Sequence, residues 1–594
     1  MSQEVLEKAK AWANNEYFDM ESRKEISDLL ERSAHETKAK EELFDRFYKD
    51  IEFGTGGLRA IMGMGSNRMS KYTVRMATHA LATVVKKHFA KSGEELRVAL
   101  SYDSRRFSDF FAKEAASVLA ANGIVAYIFD RLNPTPFLSF AVRYLKAHAG
   151  IMITASHNPP AYNGYKVYWN DGAQVIPPYD KEIIDEYYGI SDFSTISYMN
   201  FEQGLRENKI RWMGREVEDA YHQKLKQRYF RRELCERRGD ELKIVYTPIH
   251  GTGYIPCLRA LSEMGMSNVR LVQEQINPDS NFSTVPSPNP EDPRALKLAV
   301  DLMKLEERDI VFGTDPDADR IGVVVRHQGE AQFLNGNQVG ILLLHYLLSS
   351  MKERGELRSD SLVIKSIVTS EMQTALAKHF GVEIHSTLTG FKWMCGLWNQ
   401  IEKERKNLHF VMASEESYGY LVLEDVRDKD AISATAMMAE MALWYKTRGM
   451  TLIDALDEMY KEVGLFYEGL LSLDYLGKEG EEKIKRIMEH FRSSKENTLC
   501  GEKITKIEDY ELGEERDLQS GKVQKLIVPN SNVIGYTLES GSKVYLRPSG
   551  TEPKIKFYFL IRETSKGELA SLKVKAKHRS EEISNFFRAT SERA

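Results

Sequence analysis

Short apolar runs rich in β-branched residues recur along this chain, and each gives way to a polar loop and then a helical stretch. Arg97-Val-Ala-Leu-Ser, Gly123-Ile-Val-Ala-Tyr-Ile-Phe and Gly150-Ile-Met-Ile-Thr alternate with helix-like segments such as Phe110 to Ala121. This order predicts βαβ units and a mostly parallel sheet, because a parallel neighbour is reached only by a crossover long enough to hold a helix. The pattern restarts at Leu242-Lys-Ile-Val-Tyr and Asp309-Ile-Val-Phe, and again at Leu362-Val-Ile-Lys-Ser-Ile-Val and His409-Phe-Val-Met. After about residue 460 the texture changes. Val544-Tyr-Leu-Arg and Lys554-Ile-Lys-Phe-Tyr-Phe-Leu-Ile read as period-2 strands around a turn, followed by a charged helix, as in a smaller α+β domain. Residues 1–50 contain no Gly or Pro and read as an amphipathic helical leader.

The expected division is therefore residues 1–205 for the leader and a first α/β domain, 206–328 for a second, 329–460 for a third and 461–594 for the last. A length of 594 residues suits about four domains of roughly 150 residues. Lys+Arg of 82 against Asp+Glu of 87 leaves a net charge of -5, which gives no global attraction to nucleic acid. Four scattered cysteines form no CxxC pair, which argues against a zinc site or a disulfide framework. The acidic N-terminus lacks the pattern of a signal peptide, and the most apolar stretch, Ile341 to Leu348, is far shorter than the about 20 residues that span a bilayer. These features point to a reducing, cytoplasmic protein without a membrane partner.

Ligands in open α/β sheets bind beyond the carboxyl ends of the strands, so polar loops there carry the argument. In Thr154-Ala155-Ser156-His157-Asn158-Pro159-Pro160 a buried strand delivers a serine into a turn that the prolines keep out of a helix. His157 is adjacent and Lys166 follows shortly, so a base or acid is near the hydroxyl. The alternative is a capped turn with a solvent-facing serine. In Gly313-Thr314-Asp315-Pro316-Asp317-Ala318-Asp319-Arg320 three carboxylates at alternate positions repel one another unless a cation lies among them. An all-oxygen set with few protein ligands suits Mg²⁺. An EF-hand is excluded, because its glycine and closing glutamate would fall on Arg320 and Arg326. Arg547-Pro548-Ser549-Gly550-Thr551-Glu552-Pro553-Lys554 combines hydroxyls, a glycine and a guanidinium into a cradle for a bound phosphate. Ser414-Glu415-Glu416-Ser417 can hold vicinal sugar hydroxyls, and Arg427-Asp428-Lys429-Asp430 sets a cation near acids. Arg59, on the Gly-rich loop Gly54-Thr55-Gly56-Gly57-Leu58-Arg59, reads as a phosphate contact. No dinucleotide fingerprint or P-loop is present.

Thr-Ala-Ser-His-Asn-Pro, Asp-x-Asp-x-Asp-Arg, Glu-Glu-Ser and Arg-Pro-Ser-Gly-Thr-Glu-Pro, in this order from Phe53 to beyond Lys554, resemble the α-D-phosphohexomutase superfamily. Phe53 to Arg59 and Tyr246-Thr247-Pro248-Ile249-His250-Gly251 are similar to its phosphoglucomutase/phosphopentomutase branch. The resemblance implies three related mixed α/β domains plus a C-terminal α+β, TATA-binding-protein-like domain around a central cleft. It implies that Ser156 is phosphorylated, that Asp315, Asp317 and Asp319 hold Mg²⁺ with a phosphoserine oxygen, and that Arg320 lies beside the phosphoryl group. Thr389, Gly390 and Lys392 match a sugar loop; Glu415 and Ser417 match residues that grip sugar hydroxyls; Arg547, Ser549, Gly550 and Thr551 match the loop for the non-reacting phosphate. Some relatives carry a histidine after the Glu-x-Ser-Gly stretch. Here that place reads Tyr418-Gly419-Tyr420, and Lys429 matches the position used by phosphoglucomutases without that histidine.

The implied activity is exchange of glucose 1-phosphate and glucose 6-phosphate through phosphoserine and a sugar 1,6-bisphosphate, which also serves as activator. His157, Lys166 and Lys429 remain alternatives for proton transfer. Phosphopentomutase activity, another phosphohexose mutase and a non-catalytic sugar-phosphate sensor are the competing expectations, with an aspartyl phosphatase built on Asp315 a further one. The expected partners are small sugar phosphates, for a chain that is a monomer or weak homodimer.

Overall fold

A computed structural model describes residues 3–54, 57–405, 408–475, 477–549 and 554–593. The chain divides into two compact units, Met1–Phe333 with Gly419–Trp444, and Leu334–Tyr418 with Tyr445–Ala594.

The first unit contains a seven-stranded sheet in the order Phe53–Gly54, Gly57–Ile61, Tyr162–Trp169, Ala149–Ile153, Arg97–Tyr102, Val125–Phe129, Ile210–Met213. The last four strands run parallel, as the βαβ alternation predicts, and the first three add antiparallel. Ala149–Ile153 is apolar and buried at every position because helices cover both faces of a parallel sheet. Lys71–Phe89 and Ser108–Ala121 supply much of that cover through small and aliphatic residues such as Ala77, Leu81, Ala112, Ala116 and Leu119, all part of one core. The leader forms three helices, Gln3–Ala13, Met20–Ser33 and Thr37–Phe47. They close over a separate aromatic core in which Phe18, Phe47 and Tyr72 are buried around Trp12.

A second sheet follows in the order Glu330–Leu334, Ile321–His327, Ile310–Thr314, Ile244–Thr247, Val269–Leu271. Its centre is the parallel pair Ile310–Thr314 and Ile244–Thr247, and the strand Ile321–His327 returns antiparallel. The serine turn and the acidic loop thus leave the carboxyl ends of two buried strands, one in each sheet.

In the second unit Glu383–Thr387, Ser361–Ser366 and His409–Glu415 are parallel neighbours. The C-terminal sheet is antiparallel and includes the long pair Leu465–Asp474 and Lys554–Glu563, with Lys543–Pro548 alongside. The helix Leu569–Arg593 ends the chain. Among the described residues, no helix is long and apolar enough to cross a membrane.

The serine turn depends on a close approach that only glycine permits. A Cβ at Gly164, in the strand Tyr162–Trp169, would lie 2.4 Å from the Thr154 carbonyl oxygen and 3.0 Å from that of Leu58. Both obstacles are backbone and cannot swing aside. Gly164→Ala should therefore destabilise the first unit by about 1–3 kcal/mol through overpacking. Thermal melting of parent and variant measures this, and an unchanged melting temperature would contradict it.

Candidate active site

The strand Ala149–Ile153 ends in Thr154 and Ala155 and presents Ser156 with φ 51°, in the left-handed region that a serine enters only under constraint. The constraint is visible on both sides of the residue. Its backbone N–H donates to Thr154 Oγ1 at 2.8 Å, and that hydroxyl donates to Asp103 Oδ2 at 2.6 Å. Its carbonyl accepts from the Arg105 guanidinium. Ser156 Oγ then donates to Asp315 Oδ2 at 2.8 Å, so the two loops singled out in the sequence meet. His157 Nδ1 lies 3.4 Å from the same hydroxyl. Burial, reinforced by the Arg320 and Arg59 charges, holds the His157 imidazole well below its ordinary range, which favours the neutral ring.

Asp315, Asp317 and Asp319 each offer an oxygen within 4.8 Å of the others, and all three are buried. Burial, with Asp319 and Asp317 beside it, pushes the Asp315 carboxyl far above the carboxylate range. Burial raises Asp317 too, but the Lys166 ammonium outweighs it and brings that carboxyl well below the range. Lys166 Nζ donates to Asp317 Oδ2 at 2.8 Å and lies 3.6 Å from Asp319 Oδ2. Thr135 Oγ1 donates to Asp317 Oδ2 at 2.8 Å. Lys429 Nζ stands 3.2 Å from Asp319 Oδ2. Arg320 pairs with Glu291 and keeps Nε 3.8 Å from Asp319 Oδ1.

Two oxygens of this set, Asp317 Oδ1 and Asp319 Oδ1, are buried without a hydrogen-bond partner. Buried carboxylate oxygens without a hydrogen bond are costly, and hard oxygen donors with no sulfur or imidazole among them match a small divalent cation of the Mg²⁺ kind. The donor set therefore fits a metal ion.

Lys429 is held from behind. Asp428 Oδ1 lies 3.2 Å from Lys429 Nζ, while Asp428 Oδ2 accepts from Tyr168 OH at 2.6 Å and Gln174 Nε2 at 2.7 Å. Burial raises the Asp428 carboxyl, but Lys429 and then Lys166 outweigh that and bring it below the ordinary range.

Arg59 corrects the expectation of a Gly-rich loop. It lies in a strand, Gly57–Ile61, which pairs antiparallel with Tyr162–Lys166, since Leu58 and Ala60 alternate as buried residues with Arg59 between them. Its guanidinium nevertheless reaches the serine turn and donates to Asn158 Oδ1 at 3.1 Å. Thr55 and Gly56 lie outside the described residues.

Six expected residues thus gather around the acidic triad in the first unit: Ser156, His157, Lys166, Lys429, Arg59 and Arg320. The remaining ones belong to the second unit. Thr389 and Gly390, the latter at φ 115°, precede the helix Phe391–Glu404, and Lys392 Nζ lies 4.8 Å from the Trp393 ring centre. Glu415 ends a buried strand, and Ser417 follows in a half-buried turn. Arg547 is half-buried near the end of Lys543–Pro548, and Ser549 N donates to the Lys554 carbonyl at 2.8 Å. Gly550 and Thr551 lie outside the described residues.

Asp103, Arg105, Thr135 and Tyr168 were not singled out in the sequence, whereas Asp428 was read there only as an acid near a cation. Asp103-Ser104-Arg105 does follow the apolar strand Arg97–Tyr102, the same signal that marked the other loops, but it carries no Gly or Pro. Thr135 and Tyr168 reach the site only through tertiary placement.

Comparison with known proteins identifies the family. Three models of the phosphoglucomutase/phosphomannomutase family, its alpha/beta/alpha domains I, II and III, match residues 50–192, 219–329 and 335–463. A phosphoglucomutase of Staphylococcus saprophyticus is 36% identical over 537 residues, covering 90% of this chain and 95% of the relative. A phosphoglucomutase of Staphylococcus aureus is 36% identical over 541 residues, covering 91% and 94%. Among solved structures, the open form of the Paramecium phosphoprotein parafusin, a phosphoglucomutase, superposes with a TM-score of 0.64 at 18% identity, over 91% of this chain and 96% of that one. A phosphoglucomutase/phosphomannomutase family protein of Burkholderia thailandensis gives 0.57 at 17% identity, over 90% and 97%. The chain belongs to the phosphoglucomutase/phosphomannomutase family of the α-D-phosphohexomutase superfamily.

Proposed function

We propose that the chain interconverts glucose 1-phosphate and glucose 6-phosphate, with Ser156 as the phosphoryl carrier. The observation that carries this reading is the 2.8 Å contact between Ser156 Oγ and Asp315, inside an acidic triad whose other two members each face a lysine.

The working form carries a phosphoryl group on Ser156. The O6 hydroxyl of glucose 1-phosphate attacks the phosphorus; the new O–P bond forms as the Oγ–P bond breaks, and the hydroxyl proton passes to a nearby base. Glucose 1,6-bisphosphate results. After it turns over, Ser156 Oγ takes the phosphoryl group from O1, and glucose 6-phosphate leaves. No phosphate is lost or gained over the cycle. We assign proton exchange to the nitrogens around the serine, His157, Lys166 and Lys429; His157 Nδ1 stands 3.4 Å from Oγ.

Asp315, Asp317 and Asp319 would hold Mg²⁺ together with a phosphoserine oxygen. Bound there, the ion would supply positive charge to the phosphoryl oxygens. Lys166, Lys429 and Arg320 add cationic charge around the same acids and keep them oriented. In the second unit, Thr389, Gly390, Lys392, Glu415 and Ser417 would hold the sugar, while Arg547, Ser549, Gly550 and Thr551 would hold the phosphate that is not transferred. Such a loop must accept a phosphate at either end of the sugar, which suits a guanidinium fork with hydroxyls.

Ser156→Ala should lower mutase kcat by about three orders of magnitude or more while leaving the melting temperature near the parent's. Full turnover in that variant would remove the carrier assignment. Arg547→Ala should raise KM about 10- to 100-fold, the loss of a charged hydrogen-bond pair, with a smaller change in kcat. An unchanged KM would count against the phosphate loop. Chelation should abolish turnover and Mg²⁺ should restore it; full activity in excess chelator would exclude the metal assignment. Substrate choice is decided by kcat/KM for glucose, mannose, ribose and deoxyribose 1-phosphates with catalytic bisphosphate present. A clear preference for a pentose phosphate would make the chain a phosphopentomutase instead.

A further inference from the structure

Arg105 belongs to no motif used above, yet the serine turn closes around it. Its side chain is fully buried, like that of Asp103, and its Nε stands 3.4 Å from Asp103 Oδ2. Through Nη1 it donates to the carbonyls of Pro159 and Tyr162, each at 3.0 Å. Through Nη2 it donates to the carbonyls of Ser156 and Asn158. The Phe282 ring covers the guanidinium, with its centre 5.0 Å away.

Four backbone carbonyls of one short turn therefore point at a single buried cation. Pro159 and Pro160 carry no N–H groups, which leaves this turn short of donors of its own, although the Pro159 carbonyl also accepts from the Tyr162 N–H at 3.0 Å. Only a planar guanidinium presents enough donors in a fixed fork to serve four acceptors at once; an ammonium offers three donors from one point. The same Asp103 that balances the guanidinium accepts from Thr154, whose hydroxyl receives the Ser156 N–H. Ser156 is thereby gripped through both of its backbone polar groups, and its positive φ is held against the cost of that conformation.

We propose that Arg105 is a positioning residue: it locks the 156–162 turn so that the Ser156 hydroxyl faces the acidic triad. With four of its donors occupied by carbonyls, it acts on the reaction through the turn. The proposal rests on the assignment of Ser156 as phosphoryl carrier.

Arg105→Lys and Arg105→Gly test it in the full-length protein, with melting temperature, kcat and KM for glucose 1-phosphate, and amide exchange of residues 154–162. The expected result is a folded Arg105→Lys protein whose kcat falls about 100-fold, the effect of a displacement near 1 Å, with KM within about threefold of the parent. Exchange in the 154–162 segment should rise at least about tenfold while the rest of the chain keeps its protection. Tens of millimolar guanidinium, far below denaturing concentrations, should raise kcat of Arg105→Gly at least about tenfold, and equal methylammonium should not. The proposal is overturned by parental kcat or parental exchange in Arg105→Lys, or by a KM rise with unchanged kcat. It is overturned equally by a folded glycine variant that guanidinium does not rescue. Loss of native circular dichroism in both variants would also overturn it, making Arg105 a folding element. A parent without phosphosugar turnover would instead remove the mutase reading, and the exchange measurement would still decide the clamp.

Discussion

Three carboxylates buried within 4.8 Å of one another set the terms for everything around them. Out of water, such charges repel strongly, and the chain answers with cations delivered from distant segments: Lys166 from one strand, Lys429 from a later loop and Arg320 from the acidic loop itself. The answer is partial, since one oxygen each of Asp317 and Asp319 is left without a hydrogen bond. A structural ion cluster would gain stability by closing those last contacts. Leaving them open costs stability and keeps hard oxygen donors available to a cation, a trade that functional sites commonly make.

The loops that bear the chemistry were legible in the sequence because each is local. Three acids at alternate positions behind an apolar strand, or a serine before two prolines, need no knowledge of the rest of the fold. The parallel core was legible for the same reason: Ala149–Ile153 and Ile310–Thr314 are apolar throughout, and a helical stretch leads from Arg97–Tyr102 toward the next strand. What could not be read were partnerships across long stretches of chain. Asp428 is held by Tyr168 and Gln174, some 250 residues earlier in the sequence, as separations of 260 and 254 show. Thr135 meets Asp317 across 182 residues. Arg59 was read on a loop because its short strand is paired at Arg59 with the distant Tyr162–Lys166; the glycines around it read locally as a loop.

The linear order conceals which stretches belong to which unit. The first unit returns to collect Gly419–Trp444 after the chain has begun the second, and this excursion carries Asp428 and Lys429 to the acidic triad. The residues around Ser156 and the acidic triad thus come from six separated stretches of one compact unit. The loops matched to the sugar and the distal phosphate come from the other unit. In the proposed cycle the sugar phosphate must react at either end, so constancy is needed at the phosphoryl carrier and adaptability where the sugar is held.

The register of a single strand explains how so many parts arrive together. In Tyr162–Trp169 successive side chains face opposite sides of the sheet, so Gly164, Lys166 and Tyr168 share one face. Each serves a different loop. Gly164 lets the backbone approach the Thr154 carbonyl below the serine turn, Lys166 pairs with Asp317, and Tyr168 donates to Asp428, which holds Lys429. Tyr165, on the opposite face, is buried against Thr78 and fixes the strand in the core. A slip of one residue would turn Lys166 into the core and Tyr165 toward the acids, breaking all three contacts at once. The hydrophobic demand for Tyr165 and Val167 on the inner face therefore selects the same register that the polar contacts require. In this strand, stability of the fold and placement of the reactive groups are enforced by one constraint.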